Sequence, residues 1–191
     1  MMNNELRIVI ADDHPIFRKG LCDVIEEDSA LRLAGQAGNG EEALRLVETL
    51  RPDVAVLDIN MPKFSGLQVA RSLGERRSPV KLVLLTMHED EDLFDEAMEI
   101  GVKAYVLKES AVEDLLTAVH AVAAGGSFIS APIAGLLVKR REQAATLRRE
   151  KPGLELLTPS ERRILRLIAE DRTTKEIAEA HWKEYGRNYY A

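Results

Sequence analysis

Four short apolar runs end in residue types that can handle a metal ion and a phosphoryl group. Residues 6–11 run into Asp12 and Asp13, residues 54–57 into Asp58, residues 80–85 into Thr86, and residues 104–107 into Lys108. Runs of this length, rich in Val, Ile and Leu, suit strands buried on both faces of a parallel sheet. Such sheets bind their ligands beyond the carboxyl ends of the strands. Three carboxylates, a hydroxyl and an ammonium are therefore expected at one edge. Magnesium takes hard oxygen ligands, keeps several waters and often shares phosphate oxygens, so Asp12, Asp13 and Asp58 match its needs. The Asp58 carboxylate can also act as a nucleophile toward phosphorus. Phosphoryl transfer asks mainly for positioning and charge neutralisation. Lys108 and a cation would balance charge on the transferred group, and Thr86 can donate a hydrogen bond to it once attached.

Positioning these side chains requires alternating strands and helices. After the first run, Phe17, Leu21, Val24 and Ile25 recur at helical spacing, and residues 31–37 read as a second strand. Asn39 is a candidate N-cap for a helix with Ala43, Leu44, Val47 and Leu50, stopped at Pro52. Residues 60–66 form a loop, followed by a helix with Leu67, Val69, Ala70 and Leu73. Glu89-Asp90-Glu91-Asp92 opens the next helix, where first-turn acid complements the helix dipole. Gly101 is a natural stop for it. A last helix carries Val112, Leu115, Leu116, Val119 and Val122 and closes at Gly125-Gly126. Five βα units in about 125 residues are the size of one doubly wound α/β domain. The expected organisation is a domain over 5–125, a helical linker over 126–153, and a smaller helical segment over 154–191.

Composition narrows the setting. With 46% hydrophobic and 30% charged residues the chain can build a normal core, and its single cysteine excludes an intrachain disulfide framework. That fits a reducing, cytoplasmic compartment. The first residues lack a signal peptide's basic and apolar stretches. The uncharged stretch 121–138 contains Gly125-Gly126-Ser127 and Pro132, which favours a turn between helices over a membrane span. Residues 1–125 carry 13 basic and 23 acidic side chains; the remainder carries 13 and 9. The change of sign separates an acidic, cation-binding half from a mildly basic tail, although charge alone does not distinguish nucleic-acid contact from a solvated surface. The four histidines, His14, His88, His120 and His181, are scattered, which argues against a histidine metal cluster.

Asp12-Asp13, Asp58, Thr86 and Lys108, in that order at strand ends, resemble the site of two-component receiver domains. Residues 11–21, Ala-Asp-Asp-His-Pro-Ile-Phe-Arg-Lys-Gly-Leu, and Asp58-Ile59-Asn60-Met61-Pro62 with Gly66 are similar to the NarL/FixJ type of response regulator. The resemblance implies a sensor histidine kinase as phosphoryl donor to Asp58, with magnesium held by Asp12, Asp13, Asp58 and the backbone carbonyl of Asn60. It implies Lys108 and Thr86 as the assisting groups, Thr86 and Tyr105 as the conformational switch, and a phosphorylation-dependent homodimer. It implies a flavodoxin-like parallel sheet of strand order 2-1-3-4-5, and a regulator rather than an enzyme, with slow self-phosphorylation and dephosphorylation at most. Magnesium phosphatases that work through an aspartyl phosphate typically carry a second aspartate two residues after the nucleophile; here that residue is Asn60.

The tail carries a partial resemblance. Leu157-Thr158-Pro159-Ser160-Glu161-Arg162 and Lys175-Glu176-Ile177-Ala178 resemble the opening of a LuxR-type helix-turn-helix domain, with Asp171 where that family usually has glycine. Thr158 to Glu161 also fits a capping box with proline at the first helical position. A helix-turn-helix reads bases with its second helix, but no recognition-helix pattern follows Ala180. Three readings are ordered by preference. The chain is truncated or altered after Ala180; or Trp182, Tyr185 and Tyr189 cover apolar helix faces or another chain; or they join basic residues on nucleic acid. The expectation is a transcription-regulator lineage with weak or absent DNA binding and no assignable DNA-contacting residues. The alternative is a phospho-dependent dimerisation or interaction module.

Overall fold

The computed structural model describes residues 5–150 and, beyond them, residues 157, 162, 165, 166, 168 and 169. Six strands form one parallel sheet: β1 (Leu6–Ala11), β2 (Leu31–Ala37), β3 (Val54–Asp58), β4 (Lys81–Thr86), β5 (Ala104–Leu107) and β6 (Phe128–Ile129), in the order β2-β1-β3-β4-β5-β6. Helices α1 (Pro15–Glu26), α2 (Gly40–Leu50), α3 (Gly66–Glu75), α4 (Glu91–Ile100) and α5 (Ala111–Ala123) alternate with the strands, and α6 (Ala131–Glu150) follows. The expected doubly wound order 2-1-3-4-5 is present, extended by one strand.

The period-2 alternation of each strand feeds two separate cores. Val9, Ala55, Leu57, Leu84 and Tyr105 face one side, against residues of α2, α3 and α4. Ile8, Ile10, Val56, Val83 and Val106 face the other, against α1 and α5. Burial on both faces explains why the strands read as unbroken apolar runs.

Local chemistry sets the helix ends. Asn39 accepts a hydrogen bond from the Glu42 N–H at 3.0 Å as the N-cap of α2. Asp90 caps α4 by accepting from the Asp92 and Leu93 N–H groups. Gly101 ends α4 at φ 90°, a conformation glycine takes without strain. Ser65 and Gln68 close a capping box at α3.

Two sequence expectations are corrected. The segment after Gly125-Gly126 is not wholly helical: Phe128–Ile129 pairs in parallel with β5, Ala104 opposite Phe128 and Tyr105 opposite Ile129. Ser130 then fixes the entry to α6, its N–H donating to the Tyr105 carbonyl at 3.1 Å and its Oγ accepting from the Leu107 N–H at 3.1 Å. Ile133, buried in the core that contains Tyr105, anchors the first turn of α6. Val112, expected on the apolar face of α5, is 61% exposed. The buried stripe of that helix runs through Ala111, Leu115, Ala118, Val119 and Val122, one position out of phase with Val112.

The chain divides into two units, residues 1–138 and 139–191. Residues 162, 165, 166, 168 and 169 are helical. The capping box at Thr158 to Glu161, the second short helix at Lys175 to Ala180, Asp171, and the aromatic residues Trp182, Tyr185 and Tyr189 lie outside the described residues. Among the described residues no helix is long and apolar enough to cross a membrane.

Candidate functional site: an acidic pocket at the carboxyl edge of the sheet

The described residues contain five buried polar or charged side chains: Asp12, Asp58, Thr86, Lys108 and Ser130. Four of them are residues that the sequence pattern places at strand ends. Burial of charge is unfavourable unless the charges are paired, so their common location needs a cause.

Asp12 follows β1, Asp58 ends β3 and Lys108 follows β5. The Lys108 Nζ lies 2.7 Å from Asp12 Oδ2 and 2.8 Å from Asp58 Oδ2, with all three side chains nearly or wholly out of solvent. Phe17 on α1 presents its ring to the same ammonium, 5.1 Å from the centroid, adding a cation–π contact. Asp58 Oδ1 accepts from the Asn60 N–H at 3.2 Å and Asp12 Oδ1 from the His14 N–H at 2.8 Å. Arg18 reaches back to the Asp12 carbonyl at 2.5 Å. Asp13, about one-third exposed, opens the pocket toward solvent.

Thr86 ends β4. Its neighbour Leu85 stands opposite Asp58, and Thr86 itself stands opposite Leu107, next to Lys108. Its hydroxyl donates to the His88 carbonyl at 3.0 Å and accepts from the His88 N–H at 3.2 Å, so it is engaged within its own loop. Tyr105 lies further back on β5, fully buried, its ring edge-on to Phe94 of α4 with centroids 5.3 Å apart. Burial pushes its hydroxyl up to about 12, Thr86 pulling the other way and Asp90 adding to the rise. No aligned hydrogen-bond partner meets that hydroxyl among the described residues.

The loop after Asp58 is tightly constrained. A Cβ on Gly66 would stand 2.4 Å from the Asp58 carbonyl oxygen, and one on Gly40 would stand 2.0 Å from that of Phe64. Both obstacles are backbone, so glycine is required at each for the loop to close against α2 and β3.

Burial is the largest influence on Asp58 and pushes its carboxyl up; Lys108 opposes this, the Asp12 charge adds to it, and the Asn60 N–H resists it. Three acids face one ammonium, leaving uncompensated negative charge. Asp12 Oδ2, Asp13 Oδ1 and Asp58 Oδ2 receive no aligned hydrogen bond. Hard oxygen donors with unfilled acceptor capacity and surplus negative charge fit a divalent cation of magnesium's type. One ligand atom from each of Asp12, Asp13, His14 and Asp58 can be chosen so that all lie within 4.8 Å of one another. In the sequence His14 stands only as one of four scattered histidines. The only hint was its adjacency to the acid pair, because no second histidine shares its neighbourhood in the sequence. Arg18 and Ser130 were also missed, since their roles come from tertiary hydrogen bonds.

Comparison with known proteins agrees with this architecture. Residues 8–120 match the family model of the response regulator receiver domain. The chain is 34% identical over 190 residues to the transcriptional regulatory protein DegU of Brevibacillus brevis, covering 93% of this chain and 80% of that one. It is 36% identical over 180 residues to the nitrate/nitrite response regulator protein NarL of Escherichia coli K12, covering 93% and 82%. The signal receiver domain of a NarL from Mycobacterium tuberculosis superposes with a TM-score of 0.62 at 32% identity, covering 64% of this chain and 98% of that one.

Proposed function

This chain belongs to the response regulator receiver family, among regulators of the NarL and DegU type, and we propose that Asp58 accepts a phosphoryl group from a sensor histidine kinase. The reading rests above all on one observation: Asp58 is fully buried at the end of the central strand and still paired with Lys108 at 2.8 Å, among surplus acid. A fold alone would not carry a function; a costly buried charge cluster at the ligand edge supports one.

In the proposed step an Asp58 carboxylate oxygen attacks phosphorus. The phosphorus–nitrogen bond to the kinase imidazole breaks, its electron pair stays on nitrogen, and an acyl phosphate forms on Asp58. Lys108 draws the attacking carboxylate into place and then balances charge on the transferred oxygens. Asp12, Asp13, Asp58 and the Asn60 carbonyl would hold magnesium, which supplies further charge neutralisation to the phosphoryl oxygens. Asn60 in place of a second aspartate leaves no carboxyl there to activate water, which supports a persistent adduct over rapid turnover. The chain thus acts as a regulator, not a hydrolase.

The new phosphate gives the Thr86 hydroxyl a stronger acceptor than the His88 carbonyl it now uses. Movement of Thr86 alters the neighbourhood of Tyr105 and Phe94, and through them α4, β5 and β6. Phosphorylation shifts the balance between two arrangements of that face. The output is transcription control in the cytoplasm, through a phosphorylation-dependent homodimer.

Incubation with acetyl phosphate and magnesium, followed by intact-mass measurement, tests the assignment. The expected result is one added phosphoryl group, stable for minutes and absent in Asp58→Asn. An unmodified wild-type chain, or continuous phosphate release without an adduct, overturns it.

A further inference from the structure

We propose that Ser130 is a positioning residue for Lys108, holding the end of β5 from which that lysine reaches the two buried acids. The inference rests on the phosphoryl-transfer reading above and adds a residue that sets its rate. Ser130 is the one buried polar side chain outside the pocket among the described residues. A hydroxyl so placed needs a partner, and the ladder between β5 and β6 supplies it. Tyr105 stands opposite Ile129, and its carbonyl accepts from the Ser130 N–H at 3.1 Å. One more step of a parallel ladder would bring the Leu107 N–H to the Ser130 carbonyl. That carbonyl is already turned into α6, where it accepts from the Ala134 N–H at 3.0 Å. The Ser130 Oγ takes its place, accepting from the Leu107 N–H at 3.1 Å. The side chain thus lets β6 stop and α6 start without stranding a buried N–H of β5.

Leu107 is the residue before Lys108. Alternate residues of a parallel strand turn to opposite neighbours, and Leu107, like Tyr105, turns away from β4 and toward the Ser130 side. Its carbonyl accepts from the Ser110 Oγ at 3.2 Å. The main chain just before Lys108 is therefore held by two serine hydroxyls rather than by a neighbouring strand. The Lys108 Nζ lies 2.7 Å and 2.8 Å from its two carboxylates at the end of a flexible stem, which keeps that geometry only where its root is fixed. Without the Ser130 oxygen the buried Leu107 N–H loses its acceptor and must turn to find another. The root of Lys108 moves with it, and charge neutralisation on the transferred group depends on where the ammonium sits.

The test uses the full chain with acetyl phosphate and magnesium chloride, and follows phosphorylation of Asp58 by intact mass over time. Ser130→Ala should slow it about tenfold at saturating acetyl phosphate, since small displacements of a positioned group are costly. Magnesium affinity, measured by calorimetry, should change by less than about twofold, because the oxygen ligands of the cation are untouched. Ser130→Thr keeps the acceptor oxygen and should restore most of the rate. Ser130→Cys, with a weaker acceptor, should fall between Thr and Ala; it carries the test if the alanine variant does not fold. Val47→Ala opens the core beneath α2, away from β5, and controls for lost stability alone. Its rate should match wild type. A wild-type rate in both Ser130→Ala and Ser130→Cys, a Ser130→Thr chain as slow as either, or equal slowing in Val47→Ala overturns the role of Ser130 and leaves the phospho-acceptor reading standing. A wild-type chain that takes up no phosphoryl group overturns both.

Discussion

Carboxyls in two regions of this molecule end on opposite sides of their usual values, although a basic partner pulls each of them down. On the outer surface, the His120 hydrogen bond holds the Asp28 carboxyl below its usual value, and the Lys63 hydrogen bond does the same for Glu41. In the pocket, Asp58 touches a lysine at comparable distance, yet its carboxyl is raised. The partners are similar; the solvent differs. In water a cation only adds attraction, whereas in the interior loss of hydration outweighs what one ammonium returns to two buried acids. The pocket is held in a state that an additional positive charge or a change of covalent state would relieve. A surface pair stores nothing of the kind.

The sharpest way to break this comparison is to remove the buried cation. Lys108→Met leaves Asp12 and Asp58 buried without their ammonium. The expected loss is about 3–5 kcal/mol of folding stability at neutral pH, read from the midpoint and slope of a urea titration. Part of the loss should return on acidification, as the stranded carboxyls take up protons. A loss below about 1 kcal/mol would mean that the pocket is far wetter than its burial indicates.

Much of this architecture was legible in the sequence, for identifiable reasons. Strands buried on both faces leave continuous apolar runs, so each polar stop marked the sheet's ligand edge, and Asp12, Asp58 and Lys108 converge there. Asn39 and Gly101 announced helix ends because capping is local chemistry. β6 was illegible: two residues carry no period, and Phe128–Ile129 is a strand only because β5 offers an open edge. Ser130 reads as an ordinary turn residue until its Oγ is seen receiving the Leu107 N–H. His14 entered the sequence reading only as one of four scattered histidines, the metal set being read from the acids; its nearness to Asp58, 44 residues away on another strand, appears only in the fold.

A subtler effect comes from removing one acid. Asp58 has a folded-state value above the ordinary 3.8. The folded chain therefore keeps a proton that the unfolded chain has lost in the window between the two. Stability linked to this group is fully present below 3.8 and is lost as pH rises through the raised value. At pH 7 the wild-type chain carries that penalty, while Asp58→Asn does not ionise. The variant should be more stable by on the order of 1 kcal/mol at neutral pH. The gap should close as pH falls through the window, followed by circular dichroism in denaturant series. A variant that is less stable than wild type at pH 7 would show that Lys108 more than compensates for burial.

The smallest effect belongs to the surface, and it completes the contrast because the substitution is similar. Arg71 on α3 and Glu96 on α4 form an ion pair at 2.7 Å, a distance matching that of Lys108 and Asp12. Both side chains stay hydrated, at 57% and 40% exposure. Arg71→Met therefore removes an attraction that water largely screens, frees two flexible side chains and strands no buried charge. The expected change is about 0–1 kcal/mol, shrinking further as salt shortens the screening length below about 10 Å. The Lys108→Met loss should respond far less to added monovalent salt, since a buried pair is screened much less than an exposed one. Equal salt sensitivity in the two variants would remove the distinction between buried and exposed pairs. Distance alone would then account for both, and the raised Asp58 carboxyl would need another cause.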